Sequence, residues 1–173
     1  MIKKLLPLLL LILIGCSSPE PEPEPINIDT LNYRNNTFYS LNSEKPYSGP
    51  VFEPFWNGQF SMEGKIKNGK KDGLWKYYHE NGQLQEEETY KDGELDGPYK
   101  DYHENGQLEY EGTYKDGEQH GPFKVYYENG QLEIEETYKD GQVDGLWKYY
   151  NDNGQLQEER TYKDSELIDS KEY

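Results

Sequence analysis

Tyr114-Lys115-Asp116-Gly117 closes an alternating run, Leu108-Glu109-Tyr110-Glu111-Gly112-Thr113, and nearly every informative residue around it returns 24 positions later. Asn-Gly-Gln keeps that interval through Gly58, Gly82, Gly106, Gly130 and Gly154 without a slip. So strict a period marks a repeat architecture. Within the unit, Leu108, Tyr110, Gly112 and Tyr114 alternate with Glu109, Glu111 and Thr113, which predicts a strand with the first set facing a core. Asp116-Gly117 supplies the turn, because Gly takes a positive φ without a Cβ clash. A second strand, Pro122-Phe123-Lys124-Val125-Tyr126, leads to the Asn129-Gly130 turn. Its apolar residues fall at odd and even positions alike, so its faces stay unassigned. The expectation is all-β, built of repeated β-hairpins over 51–173 with a cap at the C-terminal end. No single unit buries enough to stand alone, so contacts between units must hold the array together.

Outward from the repeats, residues 26–50 keep the period imperfectly and read as an N-terminal cap over the open edge. Ser17 to Pro25, with Pro and Glu alternating from Pro19, cannot form helix or ladder, because Pro lacks the N–H and pushes its predecessor toward extended geometry. At polyproline rise it is a spacer of roughly 25–30 Å. Residues 1–15 carry Lys3 and Lys4, an apolar run from Leu5 to Ile14 and a small residue, the layout of a signal peptide, and the run is too short for an ordinary membrane-spanning helix.

The chain of 173 residues is only 32% hydrophobic, has 17 Tyr and carries a formal net charge of −16. That charge opposes nucleic-acid binding and attraction to anionic head groups. Cys16 is the sole cysteine, so no disulfide or thiolate cluster forms within one chain. No Ser/His/Asp, Cys/His or phosphate-cradling loop is present. Two His at one phase, His79 and His103, give way to Tyr127 and Asn151 in later copies and read as turn-flanking surface groups rather than metal ligands. The expectation is therefore no catalytic residue, no metal and no cofactor.

The acidic ladder is the sharper constellation: Glu63, Glu87, Glu111, Glu135 and Glu159 share one phase, on the face opposite Leu84, Leu108, Leu132 and Leu156. Two readings stand side by side. One is a solvated face partnered by Lys76, Lys100, Lys124 and Lys148; the other is an acidic strip for a cationic partner or Ca²⁺. Paired carboxylates also serve glycoside hydrolysis, but that needs a cleft that raises one pKa.

Two resemblances add to this. Leu13-Ile14-Gly15-Cys16 resembles the bacterial lipobox, which implies cleavage before Cys16 and a diacylglyceryl group on its sulfur; an ordinary secretory peptide with an incidental Cys is the rival. Ser17 follows rather than Asp, which by analogy points to the outer membrane or cell surface rather than the inner membrane. Tyr110-Glu111-Gly112-Thr113-Tyr114-Lys115-Asp116-Gly117-Glu118-Gln119-His120-Gly121 resembles a MORN repeat. Other copies replace Gly112 by Glu88, Glu136 or Arg160 and His120 by Asp72, Asp96 or Asp144, while the second strand keeps Trp75, Tyr99, Phe123 and Trp147. Residues 46–168 are similar to the bacterial MORN-variant group often labelled a toxin–antitoxin antitoxin component. That resemblance implies an elongated single-layer antiparallel sheet. The functional expectation is a non-enzymatic lipoprotein scaffold that binds another protein, a basic one by charge, and touches the membrane through its lipid alone. The alternatives are an antitoxin or immunity protein that neutralises a toxin, and an envelope hydrolase.

Overall fold

The structure, a computed structural model, describes residues 23–173. The signal segment, Cys16 and the first part of the tether lie outside the described residues. Strands Gly49–Pro54, Phe60–Lys67, Gly73–Tyr78, Leu84–Lys91, Glu94–Tyr102, Leu108–Lys115, Gly121–Tyr126, Leu132–Lys139, Gly145–Tyr150, Leu156–Lys163 and Glu166–Glu172 follow one another across one open antiparallel sheet in chain order. The hairpin array is the expected one.

Its two turns differ in kind. Asp92 and Gly93 both sit at positive φ (50° and 90°), as do Asp116 and Gly117 (50° and 83°). This is the mirror-image two-residue turn whose twist matches that of paired strands. At the opposite end only the Gly is left-handed: Gly106 has φ 82°, its N–H donates to His103 O at 2.8 Å, and Asn105 Oδ1 accepts from Gln107 N at 2.8 Å. The last hairpin departs from the rule, with Ser165 at φ 66° where earlier copies have Gly. A non-glycine residue there is strained, so Ser165→Gly should stabilise the protein by about 0.5–1 kcal/mol. Urea unfolding checks this, and a neutral or destabilising result would show that the terminal turn is not held in this conformation.

Successive repeats are joined beyond the strand ladder. Gly117 N donates to Leu95 O at 2.8 Å and Gly141 N to Gln119 O at 3.0 Å, so each Asp-Gly turn rests on the one before it. At the other end Asn105 Nδ2 donates to Glu128 O at 3.0 Å and Tyr127 Oη to Tyr150 O at 2.8 Å. His103 Nε2 stands 2.9 Å from Tyr126 O and, when it carries the proton, makes the same inter-repeat bond. The His positions that read as surface turn residues are thus steps of this second ladder, with Tyr127 supplying a hydroxyl in place of imidazole.

One face of the sheet is aromatic. Tyr99, Tyr114, Phe123, Tyr138, Trp147 and Tyr162 follow one another at ring separations of 5.4, 5.7, 5.2, 6.0 and 5.0 Å. Trp75 and Phe123 are fully buried although the sheet is a single layer. The reason is the glycine on the preceding strand: a Cβ at Gly112 would lie 2.0 Å from Phe123 Cδ1, and one at Gly64 2.3 Å from Trp75 Cδ2. Where Glu136 replaces that glycine, Trp147 is left partly exposed, with its indole N–H buried and unpartnered.

The N-terminal residues cover the first edge. Ile26–Asn27 pairs parallel with Val51–Phe52, the one parallel pairing among the described residues of an otherwise antiparallel sheet. Ile26, Ile28, Leu31, Phe38 and Tyr47 pack on a cluster of Val51, Met62, Ile66 and Trp75. Asn32–Arg34 and Thr37–Tyr39 form a separate two-stranded sheet.

The Leu row requires a correction. Each of these strands contains a β-bulge, so Leu108 pairs with Tyr102 whereas Tyr110 pairs with Asp101. Directly opposed residues share a face, and the extra residue shifts the side-chain alternation. Leu84, Leu108, Leu132 and Leu156 therefore stand on the side of the Glu ladder, each opposite a Tyr: Tyr78, Tyr102, Tyr126 and Tyr150.

Candidate functional site

The Glu ladder lies in one line across the sheet, and the pairing register fills every gap in it with a cation. Glu63 opposes Lys76, which opposes Glu87; Lys100, Glu111, Lys124, Glu135, Lys148, Glu159 and Lys171 continue the line. Lys148 Nζ stands 3.8 Å from Glu135 Oε2. A row of cross-strand opposite charges is mutually supporting, and its local charge is balanced. Tyrosines anchor the same carboxylates. Tyr78 Oη donates to Glu63 at 2.7 Å, Tyr102 to Glu87 at 3.0 Å, Tyr126 to Glu111 at 2.8 Å and Tyr173 to Glu159 at 2.5 Å. Burial, reinforced by the bond to its carboxylate, pushes the phenols of Tyr102 and Tyr126 up to about 12. These hydroxyls keep their protons across the physiological range, and the Glu63, Glu87, Glu111, Glu135 and Glu159 side chains are held rather than free.

The aromatic face carries the acids that sequence reasoning did not single out. Glu86 and Asp101 are directly opposed, with no Lys or Arg among the described residues at ion-pair distance from either. Tyr99 Oη donates to Asp101 Oδ2 at 3.0 Å. Both carboxyls are raised, first by burial; the Tyr99 hydroxyl opposes this at both, Glu88 and Asp101 raise Glu86 further while Lys71 lowers it, and Glu109 and Glu88 raise Asp101. Next to them a hollow of about 380 Å³ is lined by Asp101, Glu104, Glu109, Glu128, His79 and His103 among others, and His103 Nδ1 stands 3.4 Å from Glu109 Oε2.

One repeat earlier the same positions hold a cation. Lys71 Nζ lies 4.5 Å from the centroids of Trp75 and Tyr90 and 5.3 Å from that of Tyr77. It donates to Tyr77 Oη at 2.5 Å and stands 3.8 Å from Glu88 Oε2, while burial lowers its pKa. The box is an intramolecular cation–π site. The next copy puts Leu95 at the Lys71 position and Asp101 at the Tyr77 position, which leaves acid without the cation.

The raised carboxyls fix the sign of a pH effect. A carboxyl whose folded pKa exceeds its unfolded value binds more protons in the folded state, so its penalty is absent below the unfolded value and complete above the folded one. Stability should therefore rise as pH is lowered from neutral into the window just above the reference values of 4.5 for Glu86 and 3.8 for Asp101. Melting temperature against pH reads this, and Glu86→Gln with Asp101→Asn should reduce the rise, leaving the share of Glu136, whose carboxyl burial also raises. A profile that the double variant leaves unchanged would refute the assignment.

The remaining sequence candidates fall in two groups. Gly58, Gly82, Gly106, Gly130 and Gly154 all sit at positive φ in turns, and Trp75, Tyr99, Phe123 and Trp147 lie along the aromatic face, so both sets serve the fold. Among the described residues no group of three or more His, Cys, Asp or Glu could hold a metal ion, and no helix is long and apolar enough to cross a membrane. The family model described as MORN repeat variant matches residues 71–92, 95–116, 119–140 and 143–164. No curated protein matches the chain.

Proposed function

The chain belongs to the MORN repeat variant family, and on that premise we propose that it is a lipid-anchored scaffold at the bacterial cell envelope, without enzymatic activity, which holds another protein against its sheet. The observation that carries this reading is the uninterrupted array: hairpin follows hairpin with short turns, and both broad faces present Tyr hydroxyls and carboxylates in register. Such a surface suits an extended partner better than a small substrate, which needs a concave enclosure. The anchoring half rests on Leu13-Ile14-Gly15-Cys16 and the Pro/Glu spacer behind it. An outer-membrane or cell-surface position follows from Ser17 by the same analogy. Neutralisation of a toxin is one form such binding takes, and a toxin gene beside this one would single it out.

The test is Cys16→Ala. Wild type should partition into the detergent phase and take up labelled lipid; the variant should remain unlabelled and partition less by at least about 10-fold, since stable anchoring takes two acyl chains and the thioether on Cys16 would carry both. Equal partitioning of the two forms would end the lipoprotein reading. Crosslinking of the anchored protein in intact envelopes then tests the scaffold half, and recovery of the chain free of any protein adduct would count against it.

A further inference from the structure

We propose that the aromatic face over the first and second matched repeats docks a basic peptide segment, with a lysine ammonium or arginine guanidinium seated between Glu86 and Asp101. The proposal rests on the protein-binding reading above and gives it a surface and a partner chemistry. Three features of the face point to it. First, Glu86 and Asp101 are directly opposed across a strand pair; Lys71, engaged by Glu88 in the neighbouring box, offsets Glu86 only in part and from beyond ion-pair distance, and like charges so placed are destabilising. The other large acidic series needs no outside cation, because Lys76, Lys100, Lys124 and Lys148 alternate with its glutamates.

Second, the molecule contains a filled example of the same box. Lys71 lies over Trp75, Tyr77 and Tyr90 beside Glu88. One repeat on, Tyr99 and Tyr114 repeat the aromatic walls at a ring separation of 5.4 Å, Asp101 adds an acid, and Leu95 supplies no charge. A guest cation would complete there what Lys71 completes in the first copy, gaining both the ring faces and the carboxylates. Third, the hollow of about 380 Å³ lined by Asp101, Glu104, Glu109 and Glu128 gives a second basic side chain of an extended segment a place to enter. The net charge of −16 favours encounter with such a segment from any direction, and the local arrangement decides where it settles.

The experiment titrates an oligoarginine peptide into the full mature chain and into two double variants that lose the same charge on opposite faces, Glu86→Gln/Asp101→Asn and Glu87→Gln/Glu111→Gln. Removal of the aromatic-face pair should weaken binding by about 10-fold or more, and removal of the ladder pair by less than about 2-fold, since buried charge contacts set affinity while exposed ones mainly set encounter rate. Equal weakening would overturn this site and leave the scaffold reading intact, the peptide then following the overall field. No binding to wild type at low salt would overturn the site and remove the basic partner from that reading. Spectra of the unmodified chain give an independent readout: the peptide should shift the ring resonances of Tyr99 and Tyr114 and spare those of Tyr78 and Tyr126, whose hydroxyls face the ladder. The opposite pattern overturns the proposal even if the variants fold poorly.

Discussion

Phe123→Ala should lower the stability of the fold by about 3–5 kcal/mol, the range for removing a fully buried aromatic. Phe123 has no exposed surface and touches Tyr110, Tyr114 and Tyr138 at ring separations of 5.4, 5.7 and 5.2 Å. It is therefore the link between the second and third of the matched repeats. Gly112→Ala alone should cost about 1–3 kcal/mol by overpacking, because its new methyl would stand 2.0 Å from the Phe123 ring. Placed together the two changes relieve each other, and the double variant should fall short of the sum by about 1 kcal/mol or more. Urea unfolding of the three variants decides it. Additive costs would mean that the ring does not lie on Gly112.

Trp75→Ala should be of similar size, about 3–5 kcal/mol, and should act through two losses. The ring covers Gly64 and caps the N-terminal cluster, and its N–H donates to Lys65 O at 3.2 Å. The milder changes separate these. Trp75→Phe gives up that bond as well as area, whereas Trp147→Phe removes a buried N–H that has no acceptor and should be nearly neutral, within about 0.5 kcal/mol, as an unpaired donor costs comparable free energy to the area lost. Equal destabilisation by the two Phe variants would refute the distinction.

Much of this fold is readable from the chain because one short unit states it repeatedly. Each Asp-Gly must turn, each Tyr110-like position must face inward, and a fixed interval must keep successive copies in phase. What escaped reading has specific causes. The face of Leu108 is invisible because a bulge is a property of the pairing, not of the strand, and one extra residue reverses the alternation. Pro122 to Tyr126 resisted assignment because both of its faces are occupied: Phe123 and Val125 look to the aromatic side while Tyr126 reaches Glu111 on the other. The Glu ladder and the Lys row were both legible by period, with the Lys as its partners one of two readings, and the pairing of the strands, which sets each Lys opposite a Glu, is what selects that reading. Glu86 and Asp101 were passed over for the converse reason. They come from different strands and different phases, Tyr77 and Tyr110 stand where a repeating acid would, and only the sheet brings the two carboxyls together.

The bonds between successive turns also constrain how such a chain changes over generations. Gly93 N on Lys71 O, Gly117 N on Leu95 O and Gly141 N on Gln119 O are one contact copied at a fixed interval. Removal or duplication of a whole 24-residue unit would rejoin every partner to its equivalent. One residue more or fewer inside a strand would turn the rest of that strand's aromatic side outward. The length of this protein is in that sense quantised: a lineage can extend or shorten its surface by whole hairpins through unequal recombination, and intermediate lengths are selected against by the same ladder that holds the folded molecule together.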